Sequence, residues 1–246
     1  MLRYQLLIEY VGTNFRGWQI QKKGSTIQGL IQEKLTKLLK EKIILNGSGR
    51  TDTGVHAIAQ SAHFDCKNKI IDLIKFLKSI NHFLNEDGIA ITKIKKRSSK
   101  FHSRFSAKQR IYKYIIFNQL SIPVIEKKRG WHVRKQLDLD LIKKGAKKLI
   151  GTHDYSVFRA SSCHAKSPIK TINSIKIKSS KNKIEIEFNS QSFLQQQVRS
   201  MVGCLKYLGE KKWDLKMFEK IFKSKKRILC APPAPPEGLF LVRVIY

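Results

Sequence analysis

The chain has 246 residues, 41% of them hydrophobic, with only 6 Pro and 14 Gly; this suits one large domain or two small ones and excludes a collagen-like or wholly disordered polymer. Its 49 Lys and Arg against 18 Asp and Glu leave a formal charge of +31, which attracts polyanions and makes nucleic acid the first partner to consider, although drift toward Lys accounts for part of such an excess. The four cysteines, Cys66, Cys163, Cys204 and Cys230, form no CxxC pair and so no zinc ribbon or thioredoxin-type motif, and with neither a signal peptide nor an apolar run of ~20 residues the expectation is a cytoplasmic protein with reduced thiols and no membrane association.

The first element reads as a strand, because Leu2, Tyr4, Leu6, Ile8 and Tyr10 alternate with Arg3, Gln5 and Glu9. Ser25 followed by Gln28 forms a capping-box signature ahead of a helix whose apolar face holds Ile27, Leu30, Ile31, Leu35, Leu38 and Leu39. Strands are expected at residues 43–46, 59–65 and 89–94, with a helix between the last two marked by Ile70, Ile74, Leu77 and Leu84. The order then repeats loosely: a strand at 110–118, a helix at 139–150, and strands at 172–178 and 183–189. Leu194, Val198, Met201, Val202, Leu205 and Leu208 share one face of the next helix; a short helix at 213–222, a Pro-rich stretch and a closing strand at 239–245 complete the chain. Strands and helices mixed without regular βαβ alternation indicate the α+β class. The loose repeat of elements places a boundary near residues 98–106, dividing the chain into halves 1–105 and 106–246 that, with no low-complexity linker between them, are expected to share a sheet or a broad interface.

The densest chemical signal is the loop Gly47-Ser-Gly-Arg-Thr-Asp-Thr-Gly-Val-His56. Gly49 and Gly54 have the Walker A spacing, but Val55 and His56 stand where Lys and a hydroxyl residue must follow, and Asp52 occupies the third glycine position of a dinucleotide fingerprint. Both phosphate-loop readings therefore fail. What remains is one carboxylate, Asp52, between Thr51 and Thr53, with Arg50 beside it and glycines on both sides. Two readings stay open on the residues alone: an Asp that closes a turn, or a carboxylate acting as nucleophile or base where glycines let the backbone approach a ligand.

Gly49-Arg-Thr-Asp-Thr-Gly-Val-His56 resembles the GRTDAGVHA signature of the tRNA pseudouridine synthase A (TruA) family. Further segments agree in the family's order: Phe15-Arg-Gly-Trp-Gln19, Phe101-His-Ser-Arg-Phe-Ser-Ala107, Arg110-Ile-Tyr-Lys-Tyr114, Phe158-Arg159, Phe193 to Gly203 with Val198-Arg199, and Glu237-Gly-Leu-Phe-Leu241. The resemblance covers nearly the whole chain. It departs at Thr53 (usually Ala), at Val11 (usually Asp) and at Gln196-Gln197 (usually His-Met), which puts the packing around Arg199 in question.

The resemblance implies the pseudouridine synthase fold, two α/β halves sharing a mostly antiparallel mixed sheet with flanking helices, the first half carrying the catalytic Asp loop. It also implies isomerisation of uridine to pseudouridine at positions 38, 39 and 40 of the tRNA anticodon stem-loop by a homodimer. The reaction is redox-neutral and free of hydrolysis, so no cofactor or metal is expected. Asp52 is then the nucleophile or base, Arg199 its ion-pair partner, and Tyr112 the residue that stacks on the target base or moves the C5 proton. Arg50 and Arg159 are expected to bind substrate, Arg50 by entering the space that a flipped nucleotide leaves. His56 and His102 are expected to be structural. Two other classes compete: an RNA-binding module without catalysis, and a metal-dependent nucleic-acid enzyme. Asp52, Tyr112 and Arg199 together favour the isomerase over the first, and the scarcity of carboxylates weighs against the second.

Overall fold

A computed structural model describes residues 1–246, which contain ten strands and five α-helices. Two compact units are present: Met1–Lys108 with Phe240–Tyr246, and Gln109–Leu239. No helix is long and apolar enough to cross a membrane.

In the first unit, β1 (Leu2–Tyr10) lies between β3 (His56–Cys66) and β4 (Ile89–Arg97), antiparallel to both. The alternation read from the sequence is the cause: Tyr4, Leu6, Ile8 and Tyr10 are all buried. The closing strand β10 (Leu239–Ile245) runs parallel to β3 with Phe240 opposite His56. The last seven residues thus group with the first unit although they follow the whole of the second.

Helix α1 (Ile27–Leu39) begins one residue later than its capping signature implies. Thr26, not Ser25, is the N-cap, its hydroxyl accepting from the Gly29 amide at 3.3 Å. Gln28 does not reach back to the cap, because its amide is spent on the main chain of Leu45 and Ile20 instead. That also explains why residues 43–45 form no strand. The Ile43 amide donates to Thr36 Oγ1, the Leu45 amide to Gln32 Oε1, and the Leu45 carbonyl accepts from Gln28. Side chains of α1 thus satisfy the backbone groups that a sheet would have used, and only β2 (Asn46–Gly47) pairs, with β3. Helix α2 (Leu73–Leu84) is capped by Asp72, whose carboxylate accepts from the Ile74 and Lys75 amides.

In the second unit, β5 (Gln109–Asn118), β9 (Lys183–Ser190), β8 (Ile169–Ser180) and β7 (Gly151–Asp154) follow one another as antiparallel neighbours. A three-residue strand, β6 (Trp131–Val133), adds in parallel to β5. Helix α3 (Leu139–Lys148) is capped by Asp138 and α5 (Leu215–Ser224) by Asp214. Both pack with α4 (Gln197–Gly209). Gly145 permits the contact, since a Cβ there would fall 2.4 Å from Leu208 Cδ2.

Candidate active-site elements

The loop that carries Asp52 is braced from several directions, all within the first unit. Tyr10 and Thr51 join hydroxyls at 2.8 Å, and the Trp18 amide donates to the Thr51 carbonyl at 3.1 Å. Gln60, fully buried on β3, accepts from Ser48 Oγ at 2.7 Å and donates to the Gly49 carbonyl at 2.8 Å. Two glycines let the preceding chain close against the loop: a Cβ on Gly12 would lie 1.9 Å from the Val55 carbonyl oxygen, and one on Gly17 2.5 Å from that of Thr51. The hydrogen bond that closes the turn, from the Val55 amide to the Asp52 carbonyl, joins main-chain atoms, and Gly54 supplies the positive φ of +80° that such a turn needs. The result is a rigid turn displaying a half-buried Asp52 and an exposed Arg50, whose Nε donates to Gln19 Oε1 at 3.2 Å. Thr53, the departure from the family signature, is exposed, where either side chain fits.

The histidines near this loop are structural. His56 is buried, its Nδ1 accepts from the Gly12 amide at 3.1 Å, and its ring stacks on Phe240 at 4.7 Å. With Nδ1 an acceptor, the neutral ring carries its proton on Nε2. His102 Nδ1 accepts from the Arg104 amide at 3.1 Å, and its ring lies edge-on to His63. Burial, with His102 and Arg3 nearby, holds the His63 imidazole down at about 4.

The second unit holds Tyr112, Arg159 and Arg199. Tyr112 is a buried residue of β5, opposite Phe188 in register and edge-on to Phe193 with centroids 5.2 Å apart. Arg199, in the first turn of α4, is clamped through both side chain and backbone. Its Nε donates to the Ala234 carbonyl at 2.7 Å, and its own carbonyl accepts from the Ala234 amide at 2.9 Å. The Pro-rich stretch therefore acts as a strap along α4. Tyr114 anchors its far end by donating to the Pro235 carbonyl at 2.7 Å. Burial pushes the Tyr114 phenol up and the Glu237 carboxylate adds to this, while the Arg199 guanidinium acts in the opposite direction. Arg159 hydrogen-bonds the carbonyls of Cys163 and Ala165, which ties down the loop that follows it.

The elements therefore sort as Arg50 and Asp52 on one braced turn of the first unit, and Tyr112, Arg159 and Arg199 on the scaffold of the second. No pattern in the sequence marks Gln60, Tyr10, Gly12, Gly17 and Tyr114 as supports of these groups. Gly17 and Tyr114 do stand inside segments that resemble the family, whereas Gln60 shares its strand with Ser61, His63 and Asp65, so nothing in the pattern singles it out.

A profile of the family described as tRNA pseudouridine synthase matches residues 6–106 and 146–246. Over all 246 residues the chain is 72% identical to tRNA pseudouridine synthase A of Pelagibacter ubique, and the match spans the whole of that protein. Proteins of the same name from Parvibaculum lavamentivorans and Neorickettsia sennetsu are 38% and 39% identical, again over the full length of both chains. With these matches on an α+β scaffold, this chain belongs to the tRNA pseudouridine synthase family.

Proposed function

We propose that this protein isomerises uridine to pseudouridine in tRNA, at positions 38, 39 and 40 of the anticodon stem-loop, as a cytoplasmic homodimer with Asp52 as nucleophile or base. The observation that carries the reading is the 72% identity to a tRNA pseudouridine synthase A over the whole of both chains. The reaction breaks the bond from N1 to C1′, turns the uracil, joins C5 to C1′ and removes the C5 proton; nothing is oxidised, reduced or hydrolysed. The Asp52 carboxylate either attacks the nucleoside or takes a ribose proton, and a braced turn suits both roles because the group need not be reorganised as the reaction proceeds. Arg199 offers a fixed guanidinium to hold that carboxylate ionised, and Tyr112 a face to stack on the base or a hydroxyl to move the C5 proton. Arg50, exposed beside Asp52, suits the space left by a flipped nucleotide, and Arg159 is a further substrate-binding residue.

Asp52→Asn tests the assignment, because it keeps the volume of the side chain and removes its charge. The variant is expected to fold and bind tRNA normally and to lose single-turnover pseudouridine formation in anticodon-arm RNA altogether, measured alongside binding and thermal melting. A folded variant converting uridine at near wild-type rate would sink the role of Asp52. Asp52→Ala, which cannot regenerate Asp by deamidation, is the control.

A further inference from the structure

The free thiols of Cys204 and Cys230 face each other with their sulfurs 3.4 Å apart. Cys204 is buried on α4, one turn beyond Ser200, while Cys230 is half-buried at the start of the strap that runs to Pro235. The seam between strap and helix is close along its length. A Cβ on Gly203 would lie 2.1 Å from the Pro232 carbonyl oxygen, and Arg199 holds Ala234 through the two hydrogen bonds described above. Arg227 sits at the same end, donating to Ser200 Oγ at 2.9 Å, and the Cys230 amide donates to the Arg227 carbonyl at 3.0 Å.

We propose that Cys204 and Cys230 form a reversible dithiol–disulfide couple, oxidised by a peroxide, that fastens the strap to α4 on the seam that clamps Arg199. The two thiols have distinct parts. Cys230 is the accessible one, and the Cys204 thiol that hydrogen-bonds to it, together with the Arg227 charge, favours its thiolate; Cys204, held up by that same hydrogen bond and by burial, stays a thiol. The Cys230 thiolate attacks a peroxide oxygen, the O–O bond breaks, and the departing hydroxide takes up the proton that Cys230 gave up, leaving a sulfenic acid and water. The Cys204 sulfur then attacks the sulfenic sulfur, the S–O bond breaks, and the departing hydroxide leaves as water with the Cys204 proton. Two thiols are oxidised and one peroxide is reduced to two waters. The sulfurs must close from 3.4 Å to about 2.05 Å.

The test treats the folded wild-type protein with dilute hydrogen peroxide, alkylates the remaining thiols and maps peptides without reduction. The expected result is loss of two of the four thiols, an intact mass lower by two hydrogens, one cross-linked peptide joining Cys204 to Cys230, and full reversal by dithiothreitol. In Cys204→Ser, Cys230 is expected to stop at the sulfenic acid and be trapped there by dimedone. Four thiols still alkylated after treatment, or a disulfide that uses Cys66, Cys163 or a second molecule, overturns the proposal. Should the Ser variant fail to fold, the wild-type peptide map still decides. The oxidised protein should also melt above the reduced one; a lower melting temperature would show that the bond does not fit the native seam.

Discussion

Replacing Gln60 by Met isolates the brace beneath the Asp52 turn. Gln60 is fully buried, and its amide oxygen accepts from Ser48 Oγ at 2.7 Å and from the Ser61 amide at 3.1 Å, while its nitrogen donates to the Gly49 carbonyl at 2.8 Å. Methionine fills nearly the same volume but can neither donate nor accept strongly, so the volume term is small and the polar term dominates. The Ser48 hydroxyl and the Gly49 carbonyl are both left without this partner, at ~1 to 3 kcal/mol each. A total of about 3 kcal/mol follows if water reaches one of the two. For a chain of this size that lowers Tm by about 6 to 12 °C.

The same loss acts on activity. If the freed energy appears as disorder of residues 48–52, the turn spends less time in the reactive geometry, and each ~1.4 kcal/mol lowers kcat about tenfold without changing tRNA affinity. Gln60→Glu separates the contributions, because it keeps an acceptor for Ser48 and the Ser61 amide but sets a carboxylate against the Gly49 carbonyl; it should be at least as damaging as Met. The assays are thermal melting and single-turnover pseudouridine formation on one preparation, with binding measured in parallel. A Gln60→Met protein that melts within a degree of wild type and reacts at full rate would refute the claim that this side chain holds the turn.

Tyr112→Phe should fold and bind tRNA, and turn over ~100-fold or more slowly if its hydroxyl takes part in moving the C5 proton; full activity would leave the ring as a stacking surface only. With a charge of +31, affinity for tRNA should fall at least ~100-fold between ~50 and ~200 mM salt, and a flat salt titration would assign the basic surface to drift. His63 gives a pH dependence with a definite sign. Its folded pKa lies at about 4, below the usual 6.5, so the unfolded chain binds the proton more readily. Stability is therefore full above about pH 6.5 and falls as the pH drops toward 4, by ~3 kcal/mol at most, and His63→Asn should flatten that part of the Tm curve.

What could be read in the sequence followed from period and length. The Leu2–Tyr10 strand alternates over nine residues, long enough for one buried face to declare itself, and Leu239–Ile245 is a seven-residue apolar run broken only by Arg243. Trp131–Val133 and Gly151–Asp154 are too short to show a period, and each takes its form from the neighbour it pairs with, β5 and β8. Residues 43–45 misled in the opposite direction. They are apolar enough for a strand, but the hydrogen bonds that decide the matter come from Gln28, Gln32 and Thr36, whose helix faces them. The Asp52 turn was legible as a motif, yet its support was not. Tyr10 lies 41 residues from Thr51 and Gly12 lies 44 from His56, separations that no local pattern records.

The Gln196-Gln197 departure shows how the fold absorbs a change beside a candidate catalytic group. Gln196 adopts a left-handed conformation, with φ of +61°, and its carbonyl accepts from the Ser200 amide at 2.9 Å, so the helix that carries Arg199 starts from a strained residue. Gln197 folds back to compensate: its Oε1 accepts from the Leu194 amide at 2.8 Å, and its own amide donates to the Leu194 carbonyl at 3.1 Å. This reciprocal pair closes the turn ahead of α4, which a Met at 197 could close only through its backbone. The cost is a buried Gln197 Nε2 with no hydrogen-bond partner. The gained hydrogen bond contributes ~0.5 to 1.5 kcal/mol and the orphaned donor costs ~1 to 3 kcal/mol, so the swap is neutral to mildly destabilising. Arg199 then depends little on it, because its hold comes from the other side, where Ala234 fixes both its Nε and its carbonyl.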